Sequence, residues 1–192
     1  LADGPAVAEH LRQSFAKGEG ALFGFGPSAD FKDSSMNIAY VAQAGLGLPD
    51  KGYYFDADKK KEREAYELHI AKVLELSGIV AADAAKQAKD VIAFETRLAK
   101  VSKSSEELSR DVSLYYNPVS VADADKKTPN FQWSKFFAAQ GIAEPKMFSM
   151  AIPEFHAEFD RMLADTPVAN WKSYLRFHTV DGASPFLSKA FV

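Results

Sequence analysis

Through most of this chain apolar residues return at the three-to-four-residue spacing of one helix face, and over one stretch near the N-terminus they alternate instead with small or polar ones. Pro5 suits a first helical turn, Val7, Leu11 and Phe15 line one face, and Gly18 supplies a stop. From Leu22 the period shortens: Phe23 and Phe25, then Met36, Ile38 and Tyr40, flank the polar run from Asp30 to Ser35. This pattern predicts a two-stranded hairpin with a longish loop. A lone hairpin is marginal in water, so its aromatic face is expected to lie on helices.

Leu46-Gly-Leu-Pro49 then breaks the pattern. Beyond Lys51-Gly-Tyr-Tyr-Phe55, with Asp56 and Asp58 as caps, a helix is predicted to run to about Ser77, stopped by Gly78 and buried along Tyr66, Ile70, Val73, Leu74 and Ser77. Its first turn mixes Lys59, Lys60, Lys61 and Arg63 with Glu62 and Glu64, the composition of a solvated face rather than a nucleic-acid patch. A longer helix is predicted from about Ala82 to Val101, with Ala84, Ala88, Val91, Ile92, Leu98 and Ala99 on its inner side. Glu95 falls on that same side. A carboxylate among apolar neighbours must gain a partner or a proton, and Arg110, after a short helix opened by the Ser104/Glu107 capping box, is the expected partner in a structural ion pair. Glu95 as a general base finds no support from a histidine or second carboxylate on its face.

The stretch Arg110 to Trp133 is too aromatic for a plain linker, and Pro118 and Pro129 prevent it from being one helix. It reads as a buried crossover joining two helical halves. Asn130 is the predicted cap of a helix carrying Phe131, Trp133, Phe136 and Phe137 and ended by Gly141. An extended run from Met147 to Ile152 precedes a helix from Pro153 with Phe155, Phe159, Met162 and Leu163 inside. The last pair of helices is predicted at Thr166-Pro167 and Ser184-Pro185. The expected fold is mainly α: a single multi-helix domain over residues 1–192 with a small two-stranded β-hairpin near its N-terminus.

Composition narrows the chemistry. With 47 % hydrophobic and 12 % aromatic residues a real core is available, while a net charge of -3 provides no field for nucleic acid. No apolar run approaches the roughly 20 residues of a membrane-spanning helix. Absence of cysteine removes disulfides, thiolate metal sites and a cysteine nucleophile. His10, His69, His156 and His178 do not form His-Glu-x-x-His, so neither a catalytic nor a metal residue is assigned within the chain. His156 and Asp160, four apart on one helix, could hold a metal by two legs, but a solvated face opposite Phe155 and Phe159 is the expectation. Glu107-x-x-x-Asp111 lacks the histidine pair that would give such spacing meaning, Asp123-Ala-Asp125 lacks the rest of a calcium loop, and Gly20, Gly24 and Gly26 read as hairpin glycines. The start without methionine and the apolar stop at Phe191-Val192 suggest a fragment.

Leu46-Gly-Leu-Pro49 followed by Tyr53-Tyr54, then Phe94-Glu95 with Leu98-Ala99, Arg110-Asp111, Tyr116-Asn117, Trp133, Trp171 and Tyr174-Leu175, resemble in order and spacing the N-terminal region of the neprilysin and endothelin-converting-enzyme family of zinc metallopeptidases. The resemblance implies a non-catalytic, mostly helical domain that faces a zinc-bearing catalytic domain across a cavity and admits short peptides. Its implied partners are that catalytic domain and peptide substrates, and its implied cofactor is zinc, held outside these residues. Glu95, Arg110, Asp111, Tyr116, Asn117 and Trp133 are structural candidates, and substrate contacts are unassigned. Lack of cysteine departs from vertebrate members and is similar to bacterial ones; the family favours a periplasmic or extracellular setting. A stand-alone helical module binding a peptide or protein through the hairpin aromatics and Tyr115-Tyr116 is the alternative.

Overall fold

The computed structural model describes residues 1–191, so the apolar stop expected at Val192 lies outside the described residues. In chain order the elements are α1 (Gly4–Ala16), β1 (Phe23–Ala29), β2 (Asn37–Gln43), α2 (Lys60–Leu76), α3 (Ala81–Val101), α4 (Ser105–Arg110), β3 (Pro118–Val119), α5 (Val121–Lys127), α6 (Trp133–Ala139), β4 (Phe148–Met150), α7 (Pro153–Asp165) and α8 (Val168–Ala183). The mainly α expectation holds, and the predicted hairpin is part of a four-stranded sheet of order β1-β2-β4-β3. β1 and β2 pair antiparallel, β4 runs parallel to β2, and the two residues of β3 pair antiparallel with β4. Contacts divide the described residues into two compact units, one of residues 1–45 and 101–166, the other of 46–100 and 167–191.

In the first unit local signals behave as read. Asp3 caps α1 by accepting from the Ala6 N–H at 2.8 Å, and Gly18 takes the left-handed φ of 80° that ends it. Phe23 stacks on Phe15 at 4.4 Å between centroids and meets Trp133, Phe131 and Phe136 edge-on, so the hairpin's aromatic face does lie on helices. Arg12 is buried beside this cluster, donating from Nη1 to the Phe131 carbonyl and pairing through Nη2 with Glu9 at 2.8 Å.

The stretch from Arg110 to Trp133 lies wholly in this unit and holds more regular structure than its prolines suggested, including all of α5. Asn130 does not cap α6, a correction to the sequence reading. The residue before α6 is Gln132, at φ 58°, and Asn130 instead donates through its backbone and side-chain nitrogens to Asp160 at 2.9 and 2.8 Å. Asp125 serves the start of α6, accepting from the Ser134 N–H at 3.1 Å.

In the second unit α2 and α3 run close to the expected bounds, and Gly78 ends α2 at φ 96°. Ala84, Ala88, Val91, Leu98 and Ala99 are buried along α3, with Ile92 only half-buried at the stripe's margin. Phe94 stacks on Tyr174 at 4.2 Å and meets Trp171 edge-on at 4.7 Å, which fastens α3 to α8. The predicted helix at Ser184-Pro185 is only a short 3-10 turn, Ser184–Phe186, with a second at Lys189–Phe191.

Candidate functional site

Glu95 is fully buried in the second unit and is its polar centre. One carboxylate oxygen, Oε2, accepts from the Tyr54 hydroxyl at 2.6 Å and the Gly47 N–H at 3.3 Å; the other, Oε1, accepts from the Tyr66 hydroxyl at 3.0 Å and lies 2.7 Å from His178 Nε2. Four groups from the Leu46–Pro49 turn, the 3-10 turn Lys51–Tyr54, α2 and α8 thus converge on one residue of α3. An ionised carboxylate can only accept, and four donors saturate its lone pairs. Burial, together with the charge of Glu95, pushes the Tyr54, Tyr66 and Tyr174 hydroxyls far above the ordinary tyrosine range, so they remain protonated donors. The centre is built to bind elements together.

Gly47 shows how closely it is built. A Cβ at this position would lie 1.7 Å from the Tyr66 hydroxyl oxygen, which itself is held on Glu95. Gly47→Ala is therefore expected to cost about 1–3 kcal/mol by forcing Tyr66 off its acceptor. Urea denaturation compared with the unmodified chain measures it, and a change below about 0.5 kcal/mol would contradict the packing described.

The expected Glu95–Arg110 pair is not formed. Arg110 belongs to the first unit, where its exposed guanidinium sits 2.9 Å from Glu106 one turn back on α4. Glu95 does need partners, and two hydroxyls, a backbone N–H and an imidazole supply them. Asp111 accepts from the Ser113 N–H at 3.0 Å and starts a 3-10 turn. Tyr116 donates its hydroxyl to Asp30 at 2.7 Å, and Asn117 donates to Ser149 Oγ at 2.8 Å and to the Met150 carbonyl at 3.1 Å. Trp133 is fully buried, and neither it nor Asn117 is exposed.

His156 and Asp160 also depart from expectation, since both are buried rather than on a solvated face. Asp160 is committed to the backbone of Asn130 and Phe131, at 2.9 and 2.8 Å. His156 lies among Trp133, Phe155 and Phe23, and neither its ring nitrogens nor Trp133 Nε1 makes a well-formed hydrogen bond. Burial pulls its imidazole down to about 4, opposed weakly by the nearby backbone of Ala151 and Val41. α7 is buried on more than the Phe155–Phe159 stripe because it packs on two sides, against the aromatic cluster and against α1.

One surface feature stands out in the first unit. The face of the hairpin turned away from the aromatic core carries a hollow of about 340 Å³ lined by Gly24, Phe25, Gly26, Pro27, Ser28, Phe31, Tyr40, Ala42 and Tyr115. Phe31 stacks on Tyr116 at 5.4 Å, and Tyr40 donates its hydroxyl to the Ala29 carbonyl at 2.8 Å, so the aromatic wall is held in place. Hydrogen bonding to Asp30 pushes the Tyr116 hydroxyl up to about 12.

Among the described residues no group of three or more His, Asp or Glu could hold a metal ion, and no helix is long and apolar enough to cross a membrane. The model of Peptidase family M13 matches residues 3–192. This chain belongs to peptidase family M13. As the N-terminal region of a neprilysin-like member, it is 30 % identical over 203 residues to endothelin-converting enzyme-like 1 of Rattus norvegicus, covering 99 % of this chain and 26 % of that protein. It is 26 % identical to a neutral endopeptidase of Lactobacillus helveticus, over 88 % of this chain and 26 % of that one. A zinc metalloprotease of Mycobacterium tuberculosis, solved in complex with an inhibitor, superposes on all of this chain with TM-score 0.90 at 29 % identity, over 29 % of its own length. This M13 chain therefore spans about three-tenths or less of these relatives. Within the M13 frame, Leu46–Pro49, Tyr54, Phe94-Glu95, Trp171 and Tyr174 gain a common reason: they all meet at or beside the Glu95 centre.

Proposed function

We propose that this chain is the non-catalytic helical domain of a neprilysin-like zinc metallopeptidase, that it walls the substrate cavity opposite the catalytic domain, and that it limits access to short peptides. The parent enzyme hydrolyses peptide bonds with zinc-activated water, the metal being bound outside the residues described here. The supporting observation is the match of nearly the whole chain to a peptidase family whose solved members include zinc metalloproteases. The dense polar and aromatic fastening of the Glu95 centre suits a rigid wall rather than a reacting group. A periplasmic or extracellular setting belongs to the same proposal.

The test uses the full-length enzyme and a ladder of peptides extended stepwise to a small folded protein. Cleavage is expected to be abolished by a chelator and to fall steeply with substrate size. Equal rates for short peptides and a folded protein would refute the size-limiting role. The 192-residue chain alone is expected to be inert toward a reporter peptide; chelator-sensitive cleavage by it would refute the assignment. The second reading, a peptide-binding module, is favoured by the aromatic-walled hollow on the hairpin.

A further inference from the structure

β1 stands at one end of the strand order, so one side of its backbone has no strand partner among the described residues. Pro27 lies in its middle opposite Ala39 and has no N–H to give, a position tolerated where the proline nitrogen faces outward. By strand alternation the N–H and C=O of Phe25 and the N–H of Ala29 then also face outward, available to an added strand, while the Ala29 carbonyl already accepts from the Tyr40 hydroxyl at 2.8 Å. Beside this edge, the open face of the hairpin is floored by Gly24 and Gly26, and a Cβ on either would meet nothing within 4 Å. The floor is bare, and the wall beyond it is aromatic.

The wall is exposed and held in position. Phe31, 52 % exposed, is stacked on Tyr116, and both Tyr40 and Tyr116 have their hydroxyls tied down. Such a surface loses little side-chain freedom when covered. A carboxylate stands at this wall: Asp30 accepts from the Tyr116 hydroxyl at 2.7 Å and its charge acts on the Tyr40 hydroxyl, with the ammonium of Lys32 two residues on. That ammonium already lies 5.7 Å from the centre of the Tyr116 ring, so a cation is accommodated on this wall.

We propose that the outer edge of β1 and the adjoining hollow bind an extended peptide segment whose backbone adds to the sheet and whose lysine or arginine side chain lies against Phe31 and Tyr40. This assignment rests on the peptide-handling reading above and names the class of peptide. Main-chain pairing accounts for affinity, and the aromatic and acidic wall accounts for choice of side chain. Pro27 limits the added strand, because no donor is available at that position.

The experiment titrates the isotope-labelled chain with a short blocked peptide of alternating threonine and valine carrying one central arginine, followed by amide NMR shifts. Saturable shifts confined to residues 23–43 and around Tyr115 are expected. The same peptide with glutamate in place of arginine, or with N-methylated backbone amides, is expected to bind about tenfold more weakly or not at all. Phe31→Ser removes an exposed ring and Gly26→Val fills open space, so both variants should keep the fold, checked by unchanged amide shifts elsewhere, and both should weaken binding about tenfold. Absence of saturable shifts, shifts centred elsewhere, or equal binding of the arginine and glutamate peptides would overturn the proposal. None of those results would touch the size dependence of the full-length enzyme, which tests the cavity reading separately.

Discussion

Replacing Glu95 by alanine is expected to cost the chain about 3–5 kcal/mol of folding stability. The side chain is fully buried, and its loss leaves the hydroxyls of Tyr54 and Tyr66, the Gly47 N–H and His178 Nε2 without the acceptor on which they converge. Each orphaned buried donor carries a penalty of about 1–3 kcal/mol, and relaxation of the cavity recovers part of the sum. For a chain of this length the loss corresponds to a fall in melting temperature of about 6–20 °C. Glu95→Gln keeps the volume and one acceptor oxygen but turns an NH₂ toward donors, so a smaller loss of about 1–3 kcal/mol is expected. Arg110→Ala, which removes only an exposed pair with Glu106, should change stability by less than about 0.5 kcal/mol and serves as control. Thermal and urea unfolding followed by near-ultraviolet circular dichroism measure all three. A loss below 1 kcal/mol in Glu95→Ala, or a larger one in Arg110→Ala, would reverse the roles assigned to these residues.

The second large effect concerns pH and the first unit. His156 is buried among aromatic rings, and its imidazole takes up a proton in the folded chain only near 4, against an ordinary value of 6.5. Between those values the unfolded chain binds the additional proton, so stability declines as pH drops through that window and is fully present above it. At 1.36 kcal/mol per unit the loss approaches about 3 kcal/mol at pH 4. Carboxylates titrate in part of the same range, so the measurement is a difference. Urea midpoints at pH 7.5 and pH 4.5, followed by tryptophan fluorescence, are to be compared between the unmodified chain and His156→Phe. The variant should show a clearly shallower decline, whatever its stability at pH 7.5. Parallel declines would mean that His156 gains a partner or water when charged.

Much of the architecture was legible because its causes are local. The Asp3 cap, the Ser104/Glu107 capping box, the stops at Gly18 and Gly78 and the alternation of Phe23 with Phe25 each act within a few residues. The same holds for the apolar stripe of α3, which carries Glu95 to the interior without naming its partners. Only the tertiary structure names them, because Tyr54, Tyr66 and His178 lie between 29 and 83 residues away and no spacing rule connects them. The need for an opposite charge points to Arg110, yet hydroxyl and backbone N–H groups can also satisfy a buried carboxylate.

Asp160 and His156 were misplaced for a related reason. The sequence pattern shows a single apolar stripe for α7, whereas packing on two sides buries polar residues beyond it, one held by the backbone of residues 130 and 131 and the other enclosed by rings. The order of short motifs in the sequence was enough to recognise an M13 N-terminal region. Why those motifs belong together was decided in three dimensions, where a buried charge requires several donors at once and distant segments must meet to provide them.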